Sequence, residues 1–451
     1  MRADGAPQEA VGTFSQFYER LESGDEGLIP ESDIEPLRTL PHIDGLDGQS
    51  TSARDAFAAT AVIKLNGGLA TSMGLDRAKS LLPVKDGLTF LDIITEQVLA
   101  QRRDHGVRLP LIFMNSFRTR DDTLAALGDY DLVVPGLPLD FLQNREPKLR
   151  ADDLTPIDWP PDPELEWCPP GHADIYPAMR ASGVLDALIE QGFRYGFCSN
   201  SDNLAAMADP RIAGWLADND IPFALESTRR TPADRKGGHL AVRRSDGRLV
   251  LRETAQTAPA DQAALQDIER HPYCNTNNLW VDLRVLQRQL DANGGVLDLP
   301  MIRNRKTVDP QDSSSPAVIQ IEAAMGAAVQ AFDGAASVLV ERDRFVPVKT
   351  TNDLLVLRSD QYQLSDGHRL VRAAGRRSSV DTFVDLDPKY YALLHEFDER
   401  FPKGAPSLIE CTRLRVRGDV SFGANVVLRG DVTIDADQHG STVSDETQLS
   451  G

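Results

Sequence analysis

The sequence contains few cysteines, few aromatic residues and fewer basic than acidic side chains. Its 451 residues include 48 lysines and arginines against 68 aspartates and glutamates, and aromatic residues make up 6%. The only cysteines are Cys168, Cys198, Cys274 and Cys411. Their wide spacing excludes a CxxC redox pair and the usual zinc-binding patterns. We therefore expect free, buried thiols in a reducing compartment.

The shortage of basic charge also limits the classes of partner. A formal net charge of −20 argues against general affinity for nucleic acids or anionic membranes. It leaves room for a local basic pocket that binds a phosphorylated small molecule. No apolar run approaches the roughly 20 residues of a membrane span, and the start, MRADGAPQEA, lacks the apolar stretch of a secretory signal. We expect a cytoplasmic protein with no membrane or nucleic-acid partner.

Short apolar runs alternate with amphipathic segments from residue 61 to about 360. This alternation predicts an α/β fold with a doubly wound, mixed but mostly parallel sheet. In such sheets, ligands bind beyond the carboxyl ends of the strands. Three polar loops, after Lys64, Met114 and Cys198, follow predicted strands and are placed in this way.

The two ends of the chain follow other patterns. Residues 1–60 are predicted to form an N-terminal helical arm, and residues 361–404 a linker with a helical segment. Over residues 405–451, alternating β-branched residues include a Gly-Asp-Val unit at Gly418 and again at Gly430. This repeat predicts a short C-terminal β-helix, and a small antiparallel sheet is the alternative. The polar stretch 438–451 is predicted to be frayed.

The stretch AVIKLNGGLATSMGLDRAKS, residues 61–80, has the composition of a phosphate-binding loop. Asn66, Gly67 and Gly68 follow an apolar strand, and Lys79 stands beyond a third glycine. Glycines let backbone N–H groups approach a phosphate, and lysine adds a positive charge. An ordinary tight turn after a strand is the alternative, because the stretch matches neither GxxxxGK[ST] nor GxGxxG.

Two further stretches contain side chains that suit a phosphorylated ligand. Asp202, in SNSDN, follows a predicted strand, where a carboxylate could hold a divalent metal that bridges phosphates. The alternative is an Asx turn. In WCPPGHADIY, two prolines and a glycine fix a turn that presents His172, which favours a recognition loop. The alternative for His172 is a structural role.

Three more residues are candidates for ligand binding. Asn277 lies in NTNN, which is predicted to precede an apolar strand. The amides of this run suit sugar hydroxyls, although asparagine-rich runs also form turns. Glu322 lies in the otherwise apolar VIQIE and needs a partner, either a sugar diol or a buried network. Lys349 precedes a predicted helix, and an anion between it and the helix N–H groups would relieve the unfavourable dipole. A solvated surface lysine is the alternative there.

Together these stretches resemble one family, the eukaryotic-type UTP–glucose-1-phosphate uridylyltransferases. The motifs that carry the resemblance occur in the family's order from about residue 28 to 360: IPESDIEP, KLNGGLATSMG with AKS, TFLDI, WCPPGHADIY, SNSDNL, NTNNLWV, VIQIEAAMG and RFVPVKTTNDLL. The resemblance implies a Rossmann-like nucleotidyltransferase domain over residues 61–360. It also implies a reaction of UTP with glucose 1-phosphate that needs Mg²⁺ and yields UDP-glucose and pyrophosphate.

The resemblance assigns roles to individual residues of this sequence. Lys79 and Lys349 would be the catalytic cations that contact the phosphates, and Asp202 would be the metal ligand. His172 would contact the sugar phosphate, and Asn277 and Glu322 would bind the hexose hydroxyls. A larger set would hold the nucleotide: Leu65, Asn66, Gly67, Gly68, Gln143, Gly171, Asn200, Ser201 and Asp202.

The sequence departs from the pattern of the family at Ala70 and in the stretch GLDRAK, residues 74–79. Ala70 stands where the family usually has glycine, in LNGGLGTSMG. If the position requires a positive φ, alanine costs about 1 kcal/mol. With an ordinary backbone, its methyl group would narrow the loop and could shift the specificity.

Three other functions compete with this reaction. A sister enzyme would use GlcNAc 1-phosphate or galactose 1-phosphate, but that branch usually carries AGGxGTRLG instead of KLNGG. A catalytically silent nucleotide-sugar sensor would not need the retained lysines and Asp202. A hexapeptide-repeat acyltransferase would need more than two repeats. The repeat favours assembly, so a homo-oligomer formed through the predicted β-helix is a further hypothesis.

Overall fold

The computed structural model describes residues 1–376, 381–436 and 440–451. These residues form twelve α-helices: α1 Gln8–Glu22, α2 Thr51–Ala58, α3 Phe90–His105, α4 Arg120–Leu127, α5 Ile175–Ala181, α6 Val184–Glu190, α7 Pro210–Asp218, α8 Gln262–Gln266, α9 Leu283–Ala292, α10 Thr351–Arg358, α11 Pro388–Tyr391 and α12 Leu394–Arg400. Local sequence explains where α3 begins and ends. Thr89 and Asp92 form a capping box at its start, and Gly106 follows its last residue with φ +64°.

Seventeen strands precede residue 340 in the described chain. They are β1 Ile34–Pro36, β2 Thr60–Asn66, β3 Pro83–Lys85, β4 Leu88–Thr89, β5 Leu111–Asn115, β6 Asp140–Leu142, β7 Glu146–Pro147, β8 Leu149–Arg150, β9 Trp167–Cys168, β10 Tyr195–Asn200, β11 Phe223–Arg229, β12 His239–Arg243, β13 Leu249–Arg252, β14 Tyr273–Asp282, β15 Ile302–Thr307, β16 Ala317–Glu322 and β17 Ala336–Leu339.

A seven-stranded sheet with the order β17-β11-β14-β10-β2-β5-β6 forms the centre of the molecule. The strands β10, β2, β5 and β6 pair in parallel, as do β11 and β17. Within this sheet, β14 runs antiparallel to both of its neighbours, β10 and β11. The prediction of a mixed, mostly parallel sheet is therefore confirmed.

Helices cover both faces of this sheet, so the side chains of β2 are buried on both sides. Val62 packs into an apolar core with residues of α2, α3, α7 and α10. Ala61 and Ile63 face the opposite core, to which α1, α5, α6 and α9 contribute. A strand that is buried on both faces has a continuous run of apolar residues in the sequence, so the pattern predicted β2.

The first 60 residues pack against this core as helices and one strand. Helix α1 contacts α5, and β1 pairs antiparallel with β12 of the β12–β13 hairpin. Helix α2 crosses α7 closely, since a Cβ added to Gly214 would lie 2.7 Å from the Cβ of Ala53. The N-terminal segment thus includes a strand as well as the helices expected from its sequence.

Beyond residue 360, the described chain contains eight further strands: β18 Tyr362–Leu364, β19 Leu370–Arg372, β20 Phe383–Leu386, β21 Ser407–Arg417, β22 Val420–Phe422, β23 Val427–Asp435, β24 Ser441–Val443 and β25 Gln448–Ser450. The strands β20-β21-β23-β25 form one sheet and β22-β24 another, and every pair in both is parallel. The alternative of an antiparallel sheet is therefore wrong.

The end of the chain is more ordered than predicted. Residues 438 and 439 of the stretch predicted to be frayed lie outside the described residues. The prediction is wrong for the rest, since β24 and β25 pair with β22 and β23. All four cysteines are buried and free, as expected. Within the described ranges, no helix has the length and hydropathy required to cross a membrane.

Candidate functional site

The carboxyl ends of β2, β5 and β10 meet at one edge of the central sheet, where a buried polar network joins them. Asn66 Nδ2 donates to Asn115 Oδ1 at 2.8 Å and to Thr123 Oγ1 at 2.9 Å. Ser201 Oγ donates to Leu65 O at 2.7 Å and to Asn66 Oδ1 at 3.0 Å. The side chains of Asn66 and Ser201 are thus engaged within the protein, which leaves the loop backbone to face a ligand.

The glycine loop after β2 approaches Gln143 closely. A Cβ added to Gly67 would lie 2.3 Å from Gln143 Oε1, whereas one added to Gly68 would meet no atom within 4 Å. Gln143 N donates to Asn115 O at 2.7 Å, which fixes this residue beyond the end of β6. A side chain at position 67 would therefore displace the Gln143 amide, whereas Gly68 leaves open space beside it.

Ala70, the residue that departs from the family pattern, has an ordinary backbone. Its φ is −86°, so alanine causes no left-handed strain there. Its side chain is 2% exposed and belongs to the apolar core with Met73 and Leu82. Its methyl group therefore packs into the core.

Lys79 and Asp202 form an ion pair at this edge. Lys79 Nζ lies 2.8 Å from Asp202 Oδ2, and both side chains are largely buried. The other carboxylate oxygen, Oδ1, is buried and accepts no hydrogen bond from any described residue. A buried carboxylate oxygen without a donor fits a cation, since carboxylates are preferred ligands of hard divalent metals. Asn200 lies half-buried at the end of β10, two residues before Asp202.

Lys349 lies on the segment that crosses this loop. Val348 N donates to Asp202 O at 3.2 Å. This hydrogen bond places the backbone of the next residue, Lys349, beside the loop that contains Asp202. Lys349 is exposed, and Thr350 and Asp353 form a capping box at the start of α10, as the sequence indicated. Burial raises the pKa of the nearby Glu253, and the charge of Lys349 opposes that rise.

Gly171 and His172 lie against the segment that follows β16. Gly171 has φ +82°, and a Cβ there would lie 2.6 Å from Ala323 O. His172 Nδ1 accepts a hydrogen bond from Met325 N at 2.9 Å. Burial lowers the pKa of His172 to about 4, so the imidazole is neutral at pH 7 with its proton on Nε2. A neutral donor at this position suits a phosphate or hydroxyl oxygen.

Glu322, at the end of β16, is paired only loosely, with Lys306 Nζ 3.5 Å from Oε1. Two carboxyl groups that the sequence did not single out lie nearby. Burial, Asp174 and Glu322 raise the pKa of Glu146, whose Oε1 is buried without a partner among the described residues. Burial also raises the pKa of Asp174 to about 6. Glu146 lies in a charged stretch, NREPKLR, where burial has no sequence signal, whereas the apolar neighbours of Asp174 in ADIY were an available signal.

Asn277 occupies a bulge in β14. It has φ +61°, and the pairing of β14 with β11 shifts between Glu226 and Ser227. Its Oδ1 accepts from Asn275 Nδ2 at 3.2 Å. The expectation that the asparagine-rich run precedes its strand is therefore wrong, because one strand, Tyr273–Asp282, includes the whole run. A bulge is a common way to re-aim a side chain next to a site.

Two contacts join these groups of residues. Asn144, next to Gln143, donates to the Asp174 carboxylate from N at 2.5 Å and from Nδ2 at 2.7 Å. Asn203, next to Asp202, donates from Nδ2 to Asn278 Oδ1 at 3.4 Å. The glycine loop, the Asp202 loop, the His172 turn and the Asn277 bulge are therefore parts of one connected region.

Buried charges beneath this region were missed in the sequence. Lys64 is 2% exposed, and Glu226 and Trp280 are fully buried. Arg344 Nε and Nη2 each lie 2.8 Å from an oxygen of Glu226, and Trp280 Nε1 donates to the same carboxylate at 3.1 Å. A charged residue inside an apolar strand, as at Lys64 and Glu226, was the available signal.

Comparisons with known proteins converge on one family. The family model described as UTP--glucose-1-phosphate uridylyltransferase matches residues 11–429. The UTP--glucose-1-phosphate uridylyltransferase of Musa acuminata is 40% identical over 377 residues, which cover 83% of this chain and 78% of the relative. The potato (Solanum tuberosum) protein of the same name is 38% identical over 413 residues, which cover 91% and 82%.

Solved structures give the same result at the level of the whole fold. A variant of the UDP-glucose pyrophosphorylase from Leishmania major, in complex with UDP-glucose, has a TM-score of 0.93 and 42% identity. The match covers 100% of this chain and 96% of that one. A UDP-glucose phosphorylase from Trypanosoma brucei has a TM-score of 0.90 and 41% identity, with 100% and 98% covered.

Gly171 provides a test of the packing around the His172 turn. Its backbone (φ +82°, ψ 174°) lies in a region that only glycine adopts readily. We expect Gly171→Ala to lower the free energy of unfolding by about 3 kcal/mol or more. The backbone strain at residue 171 and the overpacking of its new methyl group both contribute to this loss. Urea denaturation measures this loss.

Gly183→Ala is the matched control. Gly183 also has a positive φ, +77°, but a Cβ there would meet no atom within 4 Å. It should cost only about 1–2 kcal/mol, the left-handed backbone penalty. Equal losses in the two variants would contradict the close packing of Gly171 against Ala323.

Proposed function

The chain belongs to the UTP–glucose-1-phosphate uridylyltransferase family, and we propose that it converts UTP and glucose 1-phosphate to UDP-glucose and pyrophosphate. The observation that carries this proposal is the Lys79–Asp202 pair beside the open glycine loop. The pair leaves one carboxylate oxygen without a donor among the described residues. A cation next to a carboxylate, at the carboxyl end of parallel strands, suits the polyphosphate of a nucleotide.

The reaction requires alignment and positive charge rather than a general base. A phosphate oxygen of glucose 1-phosphate attacks the α-phosphorus of UTP, and the bond from that phosphorus to pyrophosphate breaks. The nucleophile is already an anion, so no proton needs to be removed. The barrier lies in bringing two polyanions into line, which cations and a rigid binding site lower.

Lys79 and Lys349 are proposed to contact the reacting phosphates. Lys79 is held by Asp202, while the exposed ammonium of Lys349 stands at the start of α10. The N–H groups of a helix start favour an anion in the same place. Two cations that approach from different elements can therefore flank one phosphate chain.

The nucleoside is proposed to lie against the glycine loop. The open space beside Gly68 admits a flat ring or ribose, and Gln143 offers an amide for a base edge. The remaining members of the proposed nucleotide site are Leu65, Asn66, Gly67, Gly171, Asn200, Ser201 and Asp202. Asn66 would contribute backbone groups, because its side chain bonds within the protein. Ser201 would support the loop, because its N and its Oγ both donate to Leu65 O.

The sugar phosphate is proposed to lie between the His172 turn and the Asn277 bulge. His172 would donate from Nε2 to a phosphate or hydroxyl oxygen. Glu322 would accept from hexose hydroxyls, which its loose pairing with Lys306 permits. Asn277 would supply both a donor and an acceptor.

A divalent metal, Mg²⁺ by the family resemblance, is proposed to bind Asp202. Its buried Oδ1 is the free ligand atom. When bound, such an ion neutralises phosphate charge. Membership of a nucleotidyltransferase family supports a divalent metal at this place.

The parallel strands β20 to β25 are proposed to be rungs of a short β-helix. The pairing of β21 with β23 and β25, and of β22 with β24, supports this arrangement. Among the described strands, the last rung, β25, pairs on one side only, so a second copy of the chain could add to it. Light scattering of the full chain tests this association: one mass at all concentrations, equal to a single chain, would contradict it.

The reaction is tested by pyrophosphate release from UTP and Mg²⁺ with a panel of sugar 1-phosphates. We expect release with glucose 1-phosphate, and much slower release with GlcNAc and galactose 1-phosphates. Release with a hexosamine phosphate alone would move the chain to the sister specificity. Binding of UDP-glucose without release for any sugar would favour the nucleotide-sugar sensor.

The role of Lys349 is tested by Lys349→Ala. We expect kcat to fall by about two to three orders of magnitude, as for loss of a group that stabilises transition-state charge. The unfolding midpoint should not change, because the side chain is exposed. Lys403→Ala, an exposed lysine paired with Asp445 in the C-terminal segment, is the control and should retain activity. Normal turnover of Lys349→Ala would remove its proposed role.

A further inference from the structure

Lys64 lies in the core of the central sheet, beneath the loop that contains Asp202. Its side chain is 2% exposed. An ammonium buried to this degree is costly unless it is bonded. Its Nζ donates to Ser199 Oγ and to Ala206 O, both at 2.8 Å. The roles proposed above do not include this lysine, so its burial needs another explanation.

The two acceptors of Lys64 bracket Asp202 in the chain. Ser199 precedes Asp202 by three residues, and Ala206 follows it by four. One ammonium therefore ties the end of β10 to the returning part of the loop. The same strand, β2, leads into the glycine loop two residues later.

The returning part of the loop is held by three other buried donors. Leu204 O accepts from Gln97 Nε2 at 3.0 Å, Met207 O from Arg344 Nη2 at 2.7 Å, and Ala208 O from Gln101 Nε2 at 2.7 Å. Of these four donors, Lys64 alone also bonds to the strand before Asp202. It is thus the donor best placed to fix both ends of the loop.

We propose that Lys64 is a positioning residue, which holds the Asp202 carboxylate in place for metal and phosphate binding without touching the substrate. This inference rests on the proposed uridylyltransferase function and adds a residue to it. The surroundings of Lys64 act on its charge in both directions. Burial lowers the pKa of Lys64 to about 7, Glu226 and Asp202 favour its charged form, and Arg344 opposes it.

The test uses Lys64→Met, which keeps the apolar stem and removes the N–H donors. We expect kcat to fall about tenfold, while the KM for glucose 1-phosphate stays within about twofold of the wild-type value. The reason is that a displaced Asp202 carboxylate would stabilise the transition state less well. With UTP present, the Mn²⁺ concentration for half-maximal binding should rise about tenfold, as measured by electron paramagnetic resonance. A merely structural role would lower the unfolding midpoint but leave Mn²⁺ binding unchanged, which would overturn the proposal.

A double-mutant cycle identifies the residue through which Lys64 acts. In an Asp202→Asn background, Lys64→Met should cost less than about twofold in kcat, because coupled positions are not additive. A full tenfold loss in that background would overturn the proposal. Gln101→Met is the matched control: it removes a bond to the far end of the same loop and should leave Mn²⁺ binding unchanged.

Ser199→Ala provides a second variant in case Lys64→Met does not fold. It removes one acceptor and keeps the lysine, so a smaller rise in the half-maximal Mn²⁺ concentration is expected. Unchanged Mn²⁺ binding in Ser199→Ala would then overturn the proposal. The Mn²⁺ measurement needs no turnover. If the wild-type protein shows no turnover, the proposed function is refuted. The Mn²⁺ measurement would still decide the role of Lys64.

Discussion

Charge buried beneath the carboxyl edge of the central sheet is the constraint on which the rest of the site depends. Glu226 is fully buried, and an ionised carboxylate is retained there only with close partners. Arg344 supplies a two-pronged ion pair, and removing one member of such a pair costs about 3–5 kcal/mol. Arg344 begins the segment that leads to Lys349. The requirement to compensate one buried charge therefore also places a proposed catalytic lysine.

The polar side chains of the site divide between internal and external tasks. The side chains of Asn66 and Ser201 form hydrogen bonds that join strand ends. The side chains of Asn203 and Asn278 do the same. Around the phosphates, the groups proposed to face a ligand are glycine backbone, two lysines and one oxygen of Asp202. This arrangement gives a rigid site. The groups proposed to face the ligand are supported by polar side chains whose hydrogen bonds are all made within the protein.

The sequence was most informative where one element contains its own signal. The strands β2, β5 and β10 are continuous apolar runs, because both of their faces are buried, and each ends in a polar loop. It failed at β14, where the run from Asn275 to Asn278 interrupts the apolar pattern inside a strand. Glu226, 52 positions from Asn278 in the sequence, accepts a hydrogen bond from the amide of Asn278, so a partner that holds this run inside the strand is not visible locally. The polar tail was misjudged for a similar reason, since pairing with β22 and β23 orders β24 and β25.

The sequence by itself determined the family, through ordered motifs from IPESDIEP to RFVPVKTTNDLL, and with it the set of candidate residues. It also determined that glycine backbone, lysines and a carboxylate follow the strands of a parallel sheet. Only the tertiary structure decided which of these groups form hydrogen bonds and ion pairs within the protein. Lys79 bonds to a residue 123 positions away, Lys64 to one 135 away, and Arg344 to one 118 away. Hydrophobic periodicity describes neighbours within one helix or strand, so burial and partner choice across such distances become visible only when the chain is folded.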